Sequence, residues 1–114
     1  MKSTRMTICE AVSDDLLKQI VARMEEHVAT LQGLLGYSVL VEEGGRMVIL
    51  ITDWPNRQDC LTYHTSKIYR QLMASTQHML IGDYVVKIFQ NRTEPSLKFV
   101  DRASFCRECG AAIL

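Results

Sequence analysis

The segment Arg46–Trp54, RMVILITDW, constrains this chain more than any other. Successive side chains of a strand point to opposite faces. Met47, Ile49 and Ile51 therefore fall on one face, and Val48, Leu50 and Trp54 on the other. Both faces of the sheet that holds this strand must be covered. Gly44-Gly45 just before it is a two-residue hairpin signal that joins it to a preceding strand, Tyr37–Glu43. Pro55 ends it, because proline cannot donate to a ladder.

The flanking segments complete the order of elements. Arg5–Glu10 alternates as a short strand, with Met6 and Ile8 on one side and Thr7 and Cys9 on the other. Ser13 offers a helix N-cap, followed by Asp14 and Asp15 at the positive end of the helix dipole. Leu16, Leu17, Ile20, Val21, Met24, Val28 and Leu31 then form one apolar stripe, with Gly33 as the stop. After Pro55, Asn56 and Asp59 resemble a capping box. The helix that follows carries Cys60, Leu61, His64, Ile68 and Leu72 on roughly one face, with Thr65-Ser66 a point where it breaks or is capped again. Ala74–Gly82 is ambiguous, and Asp83–Gln90 is a final strand.

This order, β-α-β-β-α-β, predicts an α+β, ferredoxin-like domain with a four-stranded antiparallel sheet and helices on one face. The domain is expected over residues 1–95, with 96–114 as a tail. One face of Arg46–Trp54 packs under the helices and the other is left to water, a larger apolar patch than soluble monomers tolerate. At about 25 cal/mol per Å², several kcal/mol of burial remain available there. A second copy packing sheet to sheet answers the problem, so a homodimer is expected.

Composition narrows the partners. Apolar residues make up 47% and charged residues 23%, an ordinary soluble mixture. Thirteen basic side chains balance thirteen acidic ones without forming a block. No net field draws the chain to nucleic acid or to an anionic membrane. The longest uninterrupted apolar run, Met47–Ile51, falls far short of the roughly 20 residues that span a bilayer. The N-terminal MKSTRMTICEAV has no signal-peptide core or cleavage site, and a cytoplasmic protein is expected. Cys9 and Cys60 lie within apolar patterns and read as reduced core residues.

Gly33-x-x-Gly36-Tyr37, then Asp53-Trp54, then His64 and Ser66 before Tyr69 and Leu72, resembles the antibiotic biosynthesis monooxygenase domain, a family of dimeric α+β barrels. The resemblance covers residues from about 4 to 93. It implies a cavity between helices and sheet, open to small aromatic or quinol-type molecules. It also implies a cofactor-independent monooxygenase, in which the substrate itself passes an electron to oxygen. The protein then need only desolvate, orient and supply proton donors and acceptors. Two departures stand out. Oxygenase members tend to carry an asparagine near the tryptophan, whereas MVILITDW has none. Haem-degrading members carry an asparagine on the first strand, which RMTICEA lacks.

His64 is the candidate for acid/base work, because its ordinary pKa lies near neutrality. Its other reading is a helix histidine hydrogen-bonded within the domain or across the dimer. Trp54 offers a flat wall and an indole N–H donor, or else fills the barrel rim. Tyr69 joins these two as a catalytic candidate, with Tyr37 and Tyr63 as substrate-binding phenols. His27 lies just off the apolar stripe and is expected at the surface, while Arg70 and His78 are expected to be solvated or loosely paired.

The tail carries Cys106-Arg107-Glu108-Cys109-Gly110, the form of one zinc knuckle. A structural zinc needs four ligands, so two tails meeting across a dimer would complete a Cys₄ site. A vicinal redox pair is the other chemical reading, and a docked tail without special chemistry the plain one. Three functions follow. The first is a monooxygenase for a small aromatic or quinol-type molecule. The second is a non-enzymatic dimeric binding or interaction module with a metal-binding or redox-active Cys106/Cys109 tail. The third is an isomerase or decarboxylase using His64.

Overall fold

A computed structural model describes residues 1–92. The expected boundary near residue 95 and the Cys106–Cys109 motif lie outside them. The elements are β1 (Ser3–Glu10), α1 (Asp14–Val28), β2 (Gly36–Val41), β3 (Met47–Trp54), α2 (Arg57–His64), α3 (Lys67–Thr76), a 3₁₀ turn (Gln77–Met79) and β4 (Val85–Gln90). The strands pair antiparallel in the order β2-β3-β1-β4. This is the ferredoxin-like α+β arrangement expected from the order of elements.

The helix boundaries follow local chemistry. Ser13 Oγ accepts from Leu16 N at 3.2 Å and opens α1. The helix stops at Val28, short of Gly33. Gly33, with φ of 79°, instead turns the connection toward β2. Asn56 Oδ1 accepts from Asp59 N at 2.8 Å and opens α2. Ser66 both donates to Tyr63 O at 2.7 Å and accepts from Tyr69 N at 3.2 Å, closing α2 and opening α3.

That break resets the helical phase. The sequence puts Cys60, Leu61, His64, Ile68 and Leu72 on roughly one face with a break or new cap at Thr65-Ser66; the break is there, and the buried residues are Cys60 and Tyr63 in α2, then Tyr69, Leu72 and Thr76 in α3. Ile68 faces out, 36% exposed. The hairpin also differs from expectation. Its strands end at Val41 and Met47, and the chain turns through 42–46, with Gly45 N donating to Glu42 O at 3.2 Å.

The sheet has two unlike faces. Toward the helices point Ser3, Arg5, Thr7 and Cys9 of β1, opposite Trp54, Thr52, Leu50 and Val48 of β3. All eight are buried. The other face is open and carries Met6, Ile8, Ile49 and Ile51, all half-buried, with Leu40, Met47, Val85 and Phe89 exposed around them. Cys9 and Cys60 are buried free thiols, as expected.

Under the helices the interior divides in two. Cys9, Val48, Leu50, Ile20, Met24, Val28 and Leu72 build an aliphatic core beneath α1. Trp54, Cys60, Tyr63 and Tyr69 build an aromatic cluster beneath α2 and α3. The sheet floor changes to match, from Cys9 opposite Val48 at one end to Arg5 opposite Thr52 and Ser3 opposite Trp54 at the other.

Candidate functional site

The aromatic cluster is organised around Arg5. Its side chain is 1% exposed. Nη1 donates to Thr7 Oγ1 at 2.7 Å, and Nε and Nη2 both reach His64 Nδ1, at 3.2 and 3.0 Å. The guanidinium lies over the Tyr69 ring, 3.9 Å from its centroid, and 5.2 Å from that of Tyr63. Such contacts attract a cation to the ring face. Among the described residues no carboxylate pairs with Arg5; the one ion pair is Arg46 with Asp14, at the surface. A buried charge without a counter-charge is costly unless hydrogen bonds and dipoles replace its water.

Arg5 sets the state of its neighbours. A guanidinium only donates, so His64 Nδ1 must accept and the imidazole proton sits on Nε2. The His64 pKa is held below its ordinary value, by burial first and then by the Arg5 charge. Neutral His64 thus presents an N–H donor rather than a free basic nitrogen.

His27 corrects the expectation of a surface residue. It is buried at 7% exposure, with Nε2 2.6 Å from Tyr63 Oη. It follows Met24 by three residues and Ile20 by seven, so it continues the buried stripe. Its pKa is also lowered, by burial and then by Arg5. Burial pushes the Tyr63 phenol well above its usual range, with Arg5 opposing, so Tyr63 is a neutral phenol.

The rings form a chain. Trp54 stacks on Tyr63 at 5.0 Å and 28°, and Tyr63 meets Tyr69 at 5.2 Å. Trp54 Nε1 donates to Thr52 Oγ1 at 3.0 Å. Tyr69 Oη is buried and has no hydrogen-bond partner among the described residues.

Two openings flank α2. One, of about 400 Å³, is lined by Leu31 and Gly33 from the α1–β2 connection, by Trp54, and by Asp59, Thr62, Tyr63 and Ser66. The other, of about 190 Å³, lies on the opposite flank between Ser3, Ile88 and Gln90 of the sheet and Arg57 and Leu61 of α2. The structure thus brings Trp54, Tyr63, His64 and Tyr69 together, with Trp54 and Tyr63 on the larger cavity. Tyr37 stands apart on β2, 54% exposed and outside the lining of either opening. Arg70, exposed, donates to Thr65 O at 2.6 Å, and His78 is exposed.

Arg5 was not singled out in the sequence. The available signal was phase: it alternates with Thr7 and Cys9, but with apolar residues on both sheet faces nothing marked which row lay inside. Among the described residues no cluster of three or more His, Cys, Asp or Glu could hold a metal. No described helix is long and apolar enough to cross a membrane.

No family model and no curated protein sequence matches the chain. Solved structures do match it in fold. Rv0793 from Mycobacterium tuberculosis superposes with a TM-score of 0.71 at 14% identity, over 84% of this chain and 100% of that one. SnoaB, a cofactor-independent oxygenase from Streptomyces nogalater, gives 0.65 at 11% identity, over 82% and 96%. An antibiotic biosynthesis monooxygenase gives 0.64 at 12% identity, over 82% and 100%. The resemblance expected from the sequence therefore holds for the fold.

Proposed function

We propose that this chain is a cofactor-independent oxygenase that converts a small phenol or hydroquinone to a quinone, working as a cytosolic homodimer. The observation that carries the reading is the cavity of about 400 Å³ walled by stacked Trp54 and Tyr63. It is wide enough for one aromatic ring system and presents a flat face to it. The likeness in fold to SnoaB, a cofactor-independent oxygenase, adds support.

In this reading a phenol loses its proton to solvent at the cavity mouth, and the phenolate passes one electron to dioxygen. The radical pair joins at a ring carbon. Loss of water then leaves the quinone, with one oxygen atom in the product and one in water, and every electron comes from the substrate. Trp54 and Tyr63 orient the ring. The Arg5 charge behind Tyr63 favours the anionic form of a bound phenol. Incubation with ¹⁸O₂ and a phenol and hydroquinone panel tests this. One labelled oxygen is expected in the quinone, with turnover reduced at least tenfold in Trp54→Ala. Background-level, unlabelled product in both proteins overturns the reading.

The open sheet face supports the homodimer. Met6, Ile8, Leu40, Ile49, Ile51 and Phe89 form a continuous apolar surface that a second sheet would cover. Ile49→Asp is expected to give a folded monomer by light scattering, and a monomeric parent protein would remove the dimer. One observation favours the binding module as the second reading: both imidazoles of the cluster are engaged, His27 with Tyr63 and His64 with Arg5. Saturable binding of the panel without oxygen uptake would select that reading.

A further inference from the structure

Of the residues that line the cavity of about 400 Å³, only Asp59 carries a charge. It precedes Thr62 by three residues and Tyr63 by four, so α2 presents all three on one side. Tyr63 brings the stacked Trp54 wall with it, and Asp59, exposed, stands at the rim. A flat aromatic wall thus ends in a carboxylate.

That carboxylate is not spent on the fold. Asn56 caps α2 with its own Oδ1, and the reciprocal bond of a capping box, from Asn56 N back to Asp59, is not formed among the described residues. Asp59 instead takes one long hydrogen bond, 3.5 Å from Asn56 Nδ2. Among the described residues the ion pair is Arg46 with Asp14, so no cation neutralises Asp59. The basic side chains near it in sequence are turned elsewhere. Arg57 lines the cleft on the opposite flank of α2, Arg70 donates to Thr65 O at 2.6 Å, and Lys67 lies outside the cavity lining. The hydroxyls of the wall are engaged: Ser66 Oγ donates to Tyr63 O and accepts from Tyr69 N, and Thr62 Oγ1 donates to Gln58 O at 2.9 Å.

An aromatic face beside one free carboxylate suits an organic cation. Ring faces attract cations, and a rim carboxylate attracts an ammonium that keeps part of its water. The same carboxylate repels an anionic arm. Arg5, outside the lining and 5.2 Å from the Tyr63 ring centroid, favours the phenol oxygen near Tyr63 and keeps a cationic arm toward Asp59.

We propose that the cavity takes a phenol bearing a short cationic amine arm, its ring against Trp54 and Tyr63 and its ammonium at the Asp59 carboxylate. Asp59 is then the residue that determines specificity. This substrate class rests on the oxygenase reading of the same cavity.

Titration calorimetry on the full chain at neutral pH tests it with tyramine, with tyrosol, in which a hydroxyl replaces the ammonium, and with 4-hydroxyphenylacetate, whose arm is anionic. Tyramine is expected to bind about fivefold tighter than tyrosol, and 4-hydroxyphenylacetate about fivefold weaker. Asp59→Asn should bring the three within about twofold of one another. Glu43→Gln, at an exposed hairpin position beyond the far end of β3 from Trp54, removes the same charge and should leave the order unchanged.

Equal affinity for tyramine and tyrosol would overturn the proposal. So would an equal loss in Asp59→Asn and Glu43→Gln, which would assign the preference to net charge. Incubation of the same compounds with ¹⁸O₂ keeps the two readings apart. Labelled product from tyrosol, bound as tightly as tyramine, leaves the oxygenase standing and removes the amine. A tyramine preference that is lost in Asp59→Asn, without oxygen uptake, supports the amine site and removes the oxygenase. Failure of all three compounds to bind removes both.

Discussion

Beneath its helices the molecule holds two interiors on one sheet. Under α1, the β1 and β3 rows present Cys9, Val48 and Leu50 to Ile20 and Met24, and dispersion and the hydrophobic effect do all the work. Under α2, the same two strands present Arg5, Thr7 and Thr52 to three aromatic rings and two imidazoles. In the first interior the polar groups are paired, Tyr84 Oη with Thr76 Oγ1. Among the described residues the second has a buried cation without a carboxylate and a phenol without a partner. A stable fold needs only the first kind, so the second is where function is to be sought.

Truncation should separate the two most sharply. Leu50, 1% exposed, lies in the aliphatic interior. Leu50→Ala removes buried methyl groups and leaves a cavity, and should cost about 2–5 kcal/mol in urea unfolding. Activity or ligand binding by the surviving folded fraction should be unchanged. Loss of ligand binding in proportion to Leu50 volume would mean the two interiors are one unit.

Tyr63→Phe probes the other interior with a smaller change. The ring stays in its stack with Trp54, but His27 Nε2 loses the phenol 2.6 Å away. A buried group left unsatisfied costs about 1–3 kcal/mol. The denaturant midpoint should fall by less than in Leu50→Ala, and restoring partial stability with Tyr63→Phe/His27→Leu would confirm that the loss lies in the orphaned imidazole.

The aliphatic interior was the more legible of the two. The α1 stripe is a local pattern, and the caps at Ser13, Asn56 and Ser66 are local hydrogen bonds, so each could be read from a few neighbouring residues. Trp54 and Tyr63, picked out in the sequence, meet across a stack, and the two-sided strand did mark an open apolar sheet face. What could not be read is what depends on distant partners. His27 is buried because Tyr63, 36 residues away, takes its nitrogen. Arg5 is buried because His64, 59 residues away, and two ring faces receive it. Tyr69 turns in and Ile68 out because Ser66 starts a new helix; the break at Thr65-Ser66 was legible, but the phase in which the second helix begins was not.

The two interiors should also respond differently to pH. His27 and His64 are both held below 6.5 by burial and by Arg5. Below pH 6.5 the unfolded chain takes up protons that the folded chain refuses. Their contribution is complete above that value and is lost as pH falls from 6.5 through the depressed folded values. Urea midpoints should therefore decline from pH 7.5 to 5.5, and His27→Gln should flatten the decline. A midpoint that rises on acidification would contradict the neutral assignment of both rings.

The smallest expected effect sets one thiol against another, since each interior buries one cysteine. Burial alone pushes Cys9, in the aliphatic half, up to about 11. Burial also raises Cys60, but Arg5 and then Arg57 pull it back by favouring the thiolate. The thiolate is the reactive form, and each thiol reacts only when local opening exposes it. Alkylation with iodoacetamide at pH 9, followed by peptide mass spectrometry, should label Cys60 severalfold faster than Cys9. Arg5→Met should slow Cys60 and leave Cys9 as it was. If both thiols slow together, the substitution has acted through global opening; if only Cys60 slows, the charge of Arg5 is felt in one interior and not in the other.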